Sequence, residues 1–268
     1  MECPICDNKK WVKHLRELVR CTNCGFIRAK DYYFKINPIK FYSESYFTSG
    51  YGNYDHEQEA LELNFLERVK RIRKYIGAGK LLEIGCAYGY FLHVAQKYYD
   101  CYGIDLNPKV TAITRKNTKA KISTGDFLRQ KFIENSFDVI CMFDTIEHLK
   151  YPDEYLKKVF QLLKPKGIVV IETGDIDSLI AKIQGNSWRL IFPPDHLQYF
   201  SKSSLIKLLN KSGFEVKNIS WVGFHRTFRQ IIYRLTGNKS LLNSKNPFLS
   251  KSISLNTFDL VFMIAEKN

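Results

Sequence analysis

Apolar runs of strand length alternate with amphipathic helical segments from Lys80 onward, and this alternation constrains the fold more than any other feature of the chain. The strand-like runs are Lys80–Gly85, Cys101–Asp105, Lys121–Thr124, Phe137–Phe143 and Gly167–Thr173. The intervening helical patterns include a segment ending near Tyr98, Asp153–Leu163, and Ser203–Lys211 capped by Ser201. Such alternation predicts an α/β protein with a mostly parallel sheet and helices on both of its faces.

The turn after the first strand carries the main chemical signal. It is Glu83-x-Gly85-x-Ala87-x-Gly89, with an acid inside the strand and two glycines four residues apart. A tight turn between strand and helix lets the backbone approach a ligand, and the helix N-terminus presents free N–H groups to it. Asp105 ends the next strand 22 residues after Glu83, a position suited to binding a ribose diol.

With these motifs the chain resembles the class I S-adenosylmethionine-dependent methyltransferases, whose first motif is an acid and an apolar residue followed by Gly-x-Gly-x-Gly. Ala87 stands here at the middle glycine. Further matches follow in order: Phe137-Asp138, Ile146-Glu147-His148, Leu163–Gly167, and a last strand at Thr257–Glu266. The resemblance covers about residues 61–220 plus that strand, and it implies a Rossmann-like, mostly parallel seven-stranded sheet.

The resemblance implies that S-adenosylmethionine binds at the residues that follow the first strands: Glu83, Gly85, Cys86, Gly89, Asp105, Leu106, Asp126, Phe127 and Phe143. In that family, the residues matching Gly85, Cys86 and Gly89 hold the methionine moiety. The one matching Asp105 binds the ribose hydroxyls, and those matching Asp126 and Phe127 lie by the adenine. A dinucleotide-binding Rossmann protein is the alternative, but the third glycine of that fingerprint is missing.

Three residues are candidates for catalysis: Glu147, His148 and His196. Methyl transfer from a sulfonium requires an aligned nucleophile and removal of a proton when the acceptor carries one. His148 lies after the fourth strand, and a histidine titrates near the working pH, so it suits a general base. Two interpretations stay open: His148 is the base, or Glu147 and His148 only fix the loop over the cofactor.

The segment from Trp188 to Ser201 is similar to one that borders the acceptor site in a subfamily of small-molecule methyltransferases with a His-x-x-x-Phe-Ser motif. His196 is therefore a candidate for proton handling, and Trp188 and Tyr199 for substrate contact. The alternative is a buried histidine that caps a turn.

Residues 41–60 are rich in aromatic side chains, and Tyr46 and Tyr51 in this linker are further candidates for substrate contact. The linker is either a lid over the cofactor or a packing element between two parts of the chain.

Four cysteines fall in the first 24 residues, as Cys3-x-x-Cys6 and Cys21-x-x-Cys24, fourteen residues apart. Two such pairs form the spacing of a four-thiolate zinc site, which has no open position and is structural. Gly25 has no side chain at the point where the backbone must fold back over the metal. With this spacing, the segment resembles a zinc ribbon. The domain prediction is a ribbon at 1–40, the linker at 41–60 and a methyltransferase core at 61–268.

The net charge is +14, from 41 basic and 27 acidic side chains, and no acid occurs between Ile219 and Phe258. Residues 225–254 are predicted to be a basic insertion before the last strand, with an amphipathic helix in its first half. No apolar run has the length of a membrane span, and the first ten residues are too polar for a signal peptide. The chain has seven cysteines, and an odd number without a secretion signal argues against a disulfide framework. A reducing, cytoplasmic setting is therefore expected.

The favoured function is methyl transfer to a small molecule, with a sugar or a nucleotide-linked sugar as the expected acceptor. The order of ribbon, aromatic linker and core resembles the nucleotide-deoxysugar C-methyltransferases, although the further C-terminal domain of that family has no counterpart in this sequence. An RNA methyltransferase is the alternative, since a ribbon and positive charge suit nucleic acid. Against it, the Asn/Asp-Pro-Pro-aromatic motif for base amines is missing, because Asp144-Thr-Ile-Glu-His148 stands in its place. A non-catalytic binding protein on the same fold is the third possibility.

Overall fold

A computed structural model describes residues 1–36, 58–238, 240, 244 and 246–268. The strands are β1 Trp11–Lys13, β2 Leu18–Cys21, β3 Ile27–Ala29, β4 Gly79–Ile84, β5 Tyr99–Asp105, β6 Lys121–Thr124, β7 Phe137–Phe143, β8 Leu163–Gly174, β9 Gln198–Tyr199, β10 Phe214–Trp221, β11 Phe224–Thr227, β12 Ser252–Leu255 and β13 Leu260–Lys267. The α-helices are α1 Gln58–Arg73, α2 Tyr90–Ala95, α3 Pro108–Asn117, α4 Pro152–Leu162, α5 Leu179–Gln184, α6 Lys202–Lys211, α7 Phe228–Thr236 and α8 Pro247–Ser250.

Seven strands form the central sheet in the order β10-β13-β8-β7-β4-β5-β6. The strands from β4 to β8 are parallel, whereas β13 runs antiparallel to both β8 and β10. The fold prediction of a mostly parallel seven-stranded α/β sheet is therefore confirmed. Because parallel strands end at one edge of the sheet, the loops after β4, β5, β6 and β7 meet there.

Helices cover both faces of the sheet, and successive strand residues alternate between the two cores. Leu82 and Ile140 pack with α4 and α6 on one face. Leu81 and Val139 pack with α1 and α2 on the other. The central strands are thus buried on both sides, which accounts for their nearly continuous apolar sequence.

The predicted strands Lys121–Thr124 and Phe137–Phe143 have the observed bounds, whereas the other predicted strands and helices differ from the structure at one or both ends. The fifth strand of the core begins at Leu163 rather than Gly167, because the pairing of β7 with β8 shifts register between Phe137 and Val139. The chain bulges there, with Lys166 at φ +65°. The helix after the glycine turn ends at Ala95, before Tyr98.

The N-terminal residues form a second, antiparallel sheet in the order β1-β2-β3-β9. Its fourth strand comes from the core, since Ile27 pairs with Tyr199 and Arg28 with Gln198. Phe26 packs against Phe200, with ring centroids 5.2 Å apart. Backbone pairing and core packing therefore hold residues 1–36, called the ribbon below, against the central domain.

The predicted basic insertion forms a small unit in which β11 pairs antiparallel with β12. The helices α7 and α8 lie between these two strands in the sequence. The unit packs on α1 through His225, whose backbone N–H donates to Asn64 at 2.6 Å and whose ring contacts Glu67 at 3.0 Å. The expected amphipathic helix is α7. No helix in the described part of the chain has the length and apolar character to cross a membrane.

Candidate active site

The turn between β4 and α2 adopts a left-handed backbone at three positions. Gly85 has φ +77°, Ala87 +42° and Gly89 +79°. A Cβ built on Gly85 would lie 2.6 Å from the Thr145 Oγ1 atom, so glycine is required there for space as well as for conformation. Ala87 occupies its position at the cost of backbone strain.

Asp105 is fixed at the end of β5 by two backbone donors. The N–H of Ala87 donates to its Oδ2 atom at 3.0 Å, and the N–H of Asn107 donates to Oδ1 at 2.9 Å. Burial raises the pKa of Asp105, while these N–H groups act in the opposite direction. The carboxylate is thus held in one orientation beside the glycine turn.

A cavity of about 580 Å³ opens where the loops after β4, β5, β6 and β7 meet. Its volume falls in the range of small-molecule sites. Of the predicted cofactor residues, five line it: Gly85, Asp105, Leu106, Asp126 and Phe127. The other four, Glu83, Cys86, Gly89 and Phe143, lie outside that lining. Phe143 packs instead against Phe91, with ring centroids 4.6 Å apart.

Further cavity residues were not identified from the sequence. Tyr155 on α4 donates to Asp126 at 3.2 Å, and its ring lies 5.4 Å from that of Phe127. Phe34 and Ile36, which follow the ribbon strands, close another side of the cavity. Only the amphipathic pattern of α4 could have pointed to Tyr155, and no local pattern brings residues 34–36 to this site.

Glu83 lies near the carboxyl end of β4, between Gly103 on β5 and Cys141 on β7. It is 5% exposed, and its Oε2 atom has no hydrogen-bond partner in the described structure. Burial, and then the charge of Asp105, raise its pKa well above the usual range. A buried polar atom without a partner is costly. The glycine turn borders the cavity, and the strand end before it holds a buried carboxyl oxygen without a partner. This combination fits a polar ligand such as S-adenosylmethionine.

The three predicted catalytic residues come together at one end of the cavity. His148 lines it, and the rings of His148 and His196 meet edge to face with centroids 4.7 Å apart. Glu147 is 4% exposed and accepts at its backbone oxygen from Leu197 N–H at 2.8 Å. Residues 48 positions apart therefore form one cluster, named here the Glu147–His148–His196 cluster.

The two imidazoles of the cluster have opposite pKa shifts. Burial would lower the pKa of His148, but its hydrogen bond to Asp195 and the charge of Glu147 outweigh burial and raise it to about 9. Burial and the neighbouring His148 lower the pKa of His196 to about 4. Burial also raises the pKa of Glu147. In the absence of other ligands, a proton is thus favoured on His148 and disfavoured on His196.

The remaining substrate candidates do not line the cavity. Trp188 is 2% exposed and donates from Nε1 to Asp259 at 3.1 Å, so it packs the loop onto the core. Tyr199 is 4% exposed and donates to the backbone oxygen of His196 at 3.0 Å. It therefore supports the backbone that carries His196. Tyr46 and Tyr51 lie outside the described residues.

The four ribbon cysteines bring their sulfurs together, all within 4.8 Å of one another. The Sγ atoms of Cys3 and Cys24 are 3.5 Å apart, and those of Cys6 and Cys21 are 3.6 Å apart. Tetrahedral zinc with Zn–S bonds of about 2.3 Å requires an S–S separation of about 3.8 Å. The donor set therefore fits zinc in type and spacing.

Hydrogen bonding further prepares one of these sulfurs to bind a metal. Burial acts to raise the pKa of Cys21, but hydrogen bonds from the Asn8 side chain and from backbone N–H groups lower it to about 6. Burial raises the pKa of Cys3 and Cys24. A metal cation at their centre would convert these thiols to thiolates.

Comparison with known proteins identifies a family over most of the core. A family profile described as a methyltransferase domain matches residues 54–219. The chain is 23% identical over 178 residues to a mitochondrial ubiquinone biosynthesis O-methyltransferase from Schizosaccharomyces pombe, covering 60% of this chain and 64% of that protein. It is 26% identical over 259 residues to phosphoethanolamine N-methyltransferase 2 from Caenorhabditis elegans, covering 92% of this chain and 53% of that protein.

The chain thus spans less than two thirds of the length of either relative. Among solved structures, a methyltransferase from Thermotoga maritima superposes with a TM-score of 0.58 at 19% identity, covering 85% of this chain and 100% of that one. This likeness confirms the fold.

Proposed function

Because the chain belongs to the methyltransferase domain family of class I S-adenosylmethionine-dependent enzymes, we propose that it transfers a methyl group from S-adenosylmethionine to a small-molecule acceptor. The observation that carries this proposal is the cavity at the ends of the parallel strands, in which the glycine turn presents Asp105 in a fixed orientation. A dinucleotide would need a third glycine that this turn lacks.

When bound, S-adenosylmethionine supplies a methyl group already activated on a sulfonium. The residues of the chain therefore bind and orient. Asp105 would accept from the ribose hydroxyls, and Asp126, Phe127 and Tyr155 would enclose the adenine. The backbone at Gly85, which lines the cavity, would hold the polar end of the methionine moiety, and Glu83, which lies outside the lining, would act through the turn. The Glu147–His148–His196 cluster lies at the cavity wall, where it would contact the acceptor.

We further propose that the acceptor is a sugar or a nucleotide-linked sugar. Three basic side chains line the cavity, on Lys35, Arg129 and Lys150, and they suit an acceptor that carries phosphate. Two sides of the cavity are closed by residues 34–36 and by the loop after β7, which favours a small acceptor over a folded RNA. The two curated relatives bear the names of small-molecule methyltransferases, which agrees with this size class.

The ribbon cysteines would bind one structural zinc ion, since four thiolates leave no position open for chemistry. A segment of 36 residues is too short to bury a sufficient core alone, and the metal would supply part of its folding free energy. Four thiolates and three buried free cysteines also suit a reducing compartment such as the cytoplasm.

Calorimetry with S-adenosylmethionine and zinc-loaded protein tests the proposal. We expect binding to the unmodified chain and a loss of about 10- to 100-fold in affinity for Asp105→Ala, because hydrogen bonds to a charged group are removed. Asp100→Ala, at the exposed start of the same strand, is the matched control and should bind normally.

The acceptor class is tested by incubating the protein with isotopically labelled donor and a cell extract. Label in a low-molecular-mass sugar fraction, identified by mass spectrometry, supports the proposal, whereas label in RNA would favour the alternative. Absence of donor binding to the zinc-loaded chain would contradict methyl transfer altogether.

A further inference from the structure

The Glu147–His148–His196 cluster contains a set of metal-binding atoms distinct from those of the ribbon. One carboxylate oxygen and one nitrogen from each ring lie within 4.8 Å of one another. The set comes from two distant loops, one after β7 and one before β9, and those loops are joined by the hydrogen bond from Leu197 N–H to Glu147 O. The backbone thus holds the three side chains in fixed positions.

Both imidazoles are oriented in the way that metal-binding histidines are. Nδ1 of His148 lies 2.7 Å from the backbone oxygen of Asp195, and Nδ1 of His196 lies 2.8 Å from that of Leu190. A carbonyl oxygen can only accept, so Nδ1 carries the hydrogen in each ring and Nε2 is the nitrogen suited to a metal. Such a second hydrogen bond fixes the tautomer and the ring plane of a ligating histidine.

Glu147 provides an independent observation. It is 4% exposed, and its Oε2 atom has no hydrogen-bond partner in the described structure. A buried carboxylate oxygen is destabilising unless a hydrogen bond, an opposite charge or a metal satisfies it. A cation between Glu147 and the two rings would provide that missing interaction.

We infer that Glu147, His148 and His196 bind one divalent first-row transition-metal ion, and that an oxygen atom of the methyl acceptor takes one of its open positions. Two imidazoles and one carboxylate suit Zn²⁺, Mn²⁺ or Fe²⁺, and three protein ligands leave room for water or substrate. His148 belongs to both the cluster and the cavity wall, so the ion would lie beside the acceptor. The part of this inference that concerns the acceptor rests on the proposed function.

Such a site would activate a hydroxyl group of the acceptor for methyl transfer. The metal lowers the pKa of a bound acceptor hydroxyl, which releases its proton to water. The resulting alkoxide oxygen attacks the methyl carbon of the donor, so that an O–C bond forms as the C–S bond breaks. The donor leaves as S-adenosylhomocysteine, a neutral thioether. The acceptor is therefore expected to present a hydroxyl group, such as that of a sugar.

Manganese titration of the zinc-loaded, full-length chain tests the site, because Mn²⁺ prefers oxygen and nitrogen ligands over the four thiolates of the ribbon. Electron paramagnetic resonance measures the free Mn²⁺ signal. We expect one Mn²⁺ bound per chain, and a loss of affinity for Glu147→Gln and for His196→Gln that exceeds the roughly 10- to 100-fold loss typical of removing an outer-shell partner.

His93→Gln is the matched control, since His93 lies on α2 with its Nδ1 atom 3.0 Å from the backbone oxygen of Asn117 and takes no part in the cluster. It should bind Mn²⁺ as the unmodified chain does. Calorimetry with S-adenosylmethionine, run on every variant, shows which of them fold and keep the donor site.

The outcomes separate this inference from the proposed function. If the unmodified chain binds S-adenosylmethionine but takes up neither Mn²⁺ nor a second equivalent of Zn²⁺, the metal site is wrong and methyl transfer stands. If the cluster variants bind Mn²⁺ as tightly as the control, the ligands are wrong. If Mn²⁺ binds and S-adenosylmethionine does not, the metal site stands without the proposed function.

Discussion

Gly85 shows how much of the site depends on one missing side chain. Its left-handed backbone opens the turn, and the space a Cβ would fill is taken by Thr145 from the loop after β7. Thr145 in turn donates to Ile84 O at 3.2 Å, so the two loops that border the cavity are joined behind it. The conformation of the turn and the position of the β7 loop are therefore coupled.

Gly85→Ala should destabilise the protein by about 1–3 kcal/mol, since it adds a left-handed non-glycine residue and a steric contact at 2.6 Å. Urea unfolding measures this difference. Gly77→Ala is the matched control, because nothing lies within 4 Å of a Cβ built there, and it should change the free energy of unfolding by less than about 0.5 kcal/mol. Equal effects at the two glycines would contradict the coupling.

Single residues of the donor site could be predicted from the sequence because their motif is local. Gly85 follows β4, Asp105 ends β5 and Asp126 lies two residues after β6, so their convergence follows from parallel topology. Tyr155 and Phe34 reach the cavity through tertiary packing, which leaves no short-range pattern in the sequence. Trp188 is predicted to contact the substrate because it belongs to the segment that resembles an acceptor-site border. In the structure its indole N–H donates to Asp259 inside the core.

At the scale of elements, a buried ion pair joins α1 to the central sheet. The guanidinium of Arg68 donates to both carboxylate oxygens of Glu172 on β8, at 2.9 and 3.0 Å, and also to Gly223 O at 3.1 Å. The two side chains are 2% and 3% exposed. The pair thus connects α1, β8 and the segment before β11 at one buried point.

Arg68→Met should lower the free energy of unfolding by about 3–5 kcal/mol, because it leaves the Glu172 carboxylate buried without a partner. Thermal or urea denaturation measures the loss. Lys70→Met, an exposed position on the same helix, should leave stability almost unchanged. The double variant Arg68→Met/Glu172→Gln should regain part of the loss, and no recovery would show that the cost comes from packing rather than charge.

Element types were predicted well because their periodicity is strong, and their bounds were wrong where the sheet is irregular. The bulge that lengthens β8 depends on how two strands pair, which no single strand encodes. The pairing of β3 with β9 was missed for the same reason, since β9 has only two residues and no recognisable strand pattern.

At the scale of the whole molecule, the ribbon contacts the central domain at several points. Its sheet includes β9, Lys211 on α6 contacts Asp7 at 2.7 Å, and residues 34–36 line the cavity. The ribbon therefore forms one wall of the site where the donor is proposed to bind.

Cys21→Ser should release the zinc of the ribbon, lower the melting temperature and weaken S-adenosylmethionine binding by less than Asp105→Ala does, because only one wall of the cavity is disturbed. Elemental analysis should show one equivalent of zinc fewer per chain, and calorimetry gives the affinity. Cys101→Ala, which removes a buried core thiol, should keep its zinc. Unchanged zinc content in Cys21→Ser would contradict the four-thiolate site.

The shared strand also has a consequence for synthesis on the ribosome. The partner of Ile27 is Tyr199, 172 residues later in the chain. At about 5–20 residues per second, the edge of β3 emerges roughly 10–30 s before the strand that covers it. An uncovered edge can pair with other nascent chains, so the ribbon is the segment in which a chaperone, or early loading of the proposed zinc, would matter most.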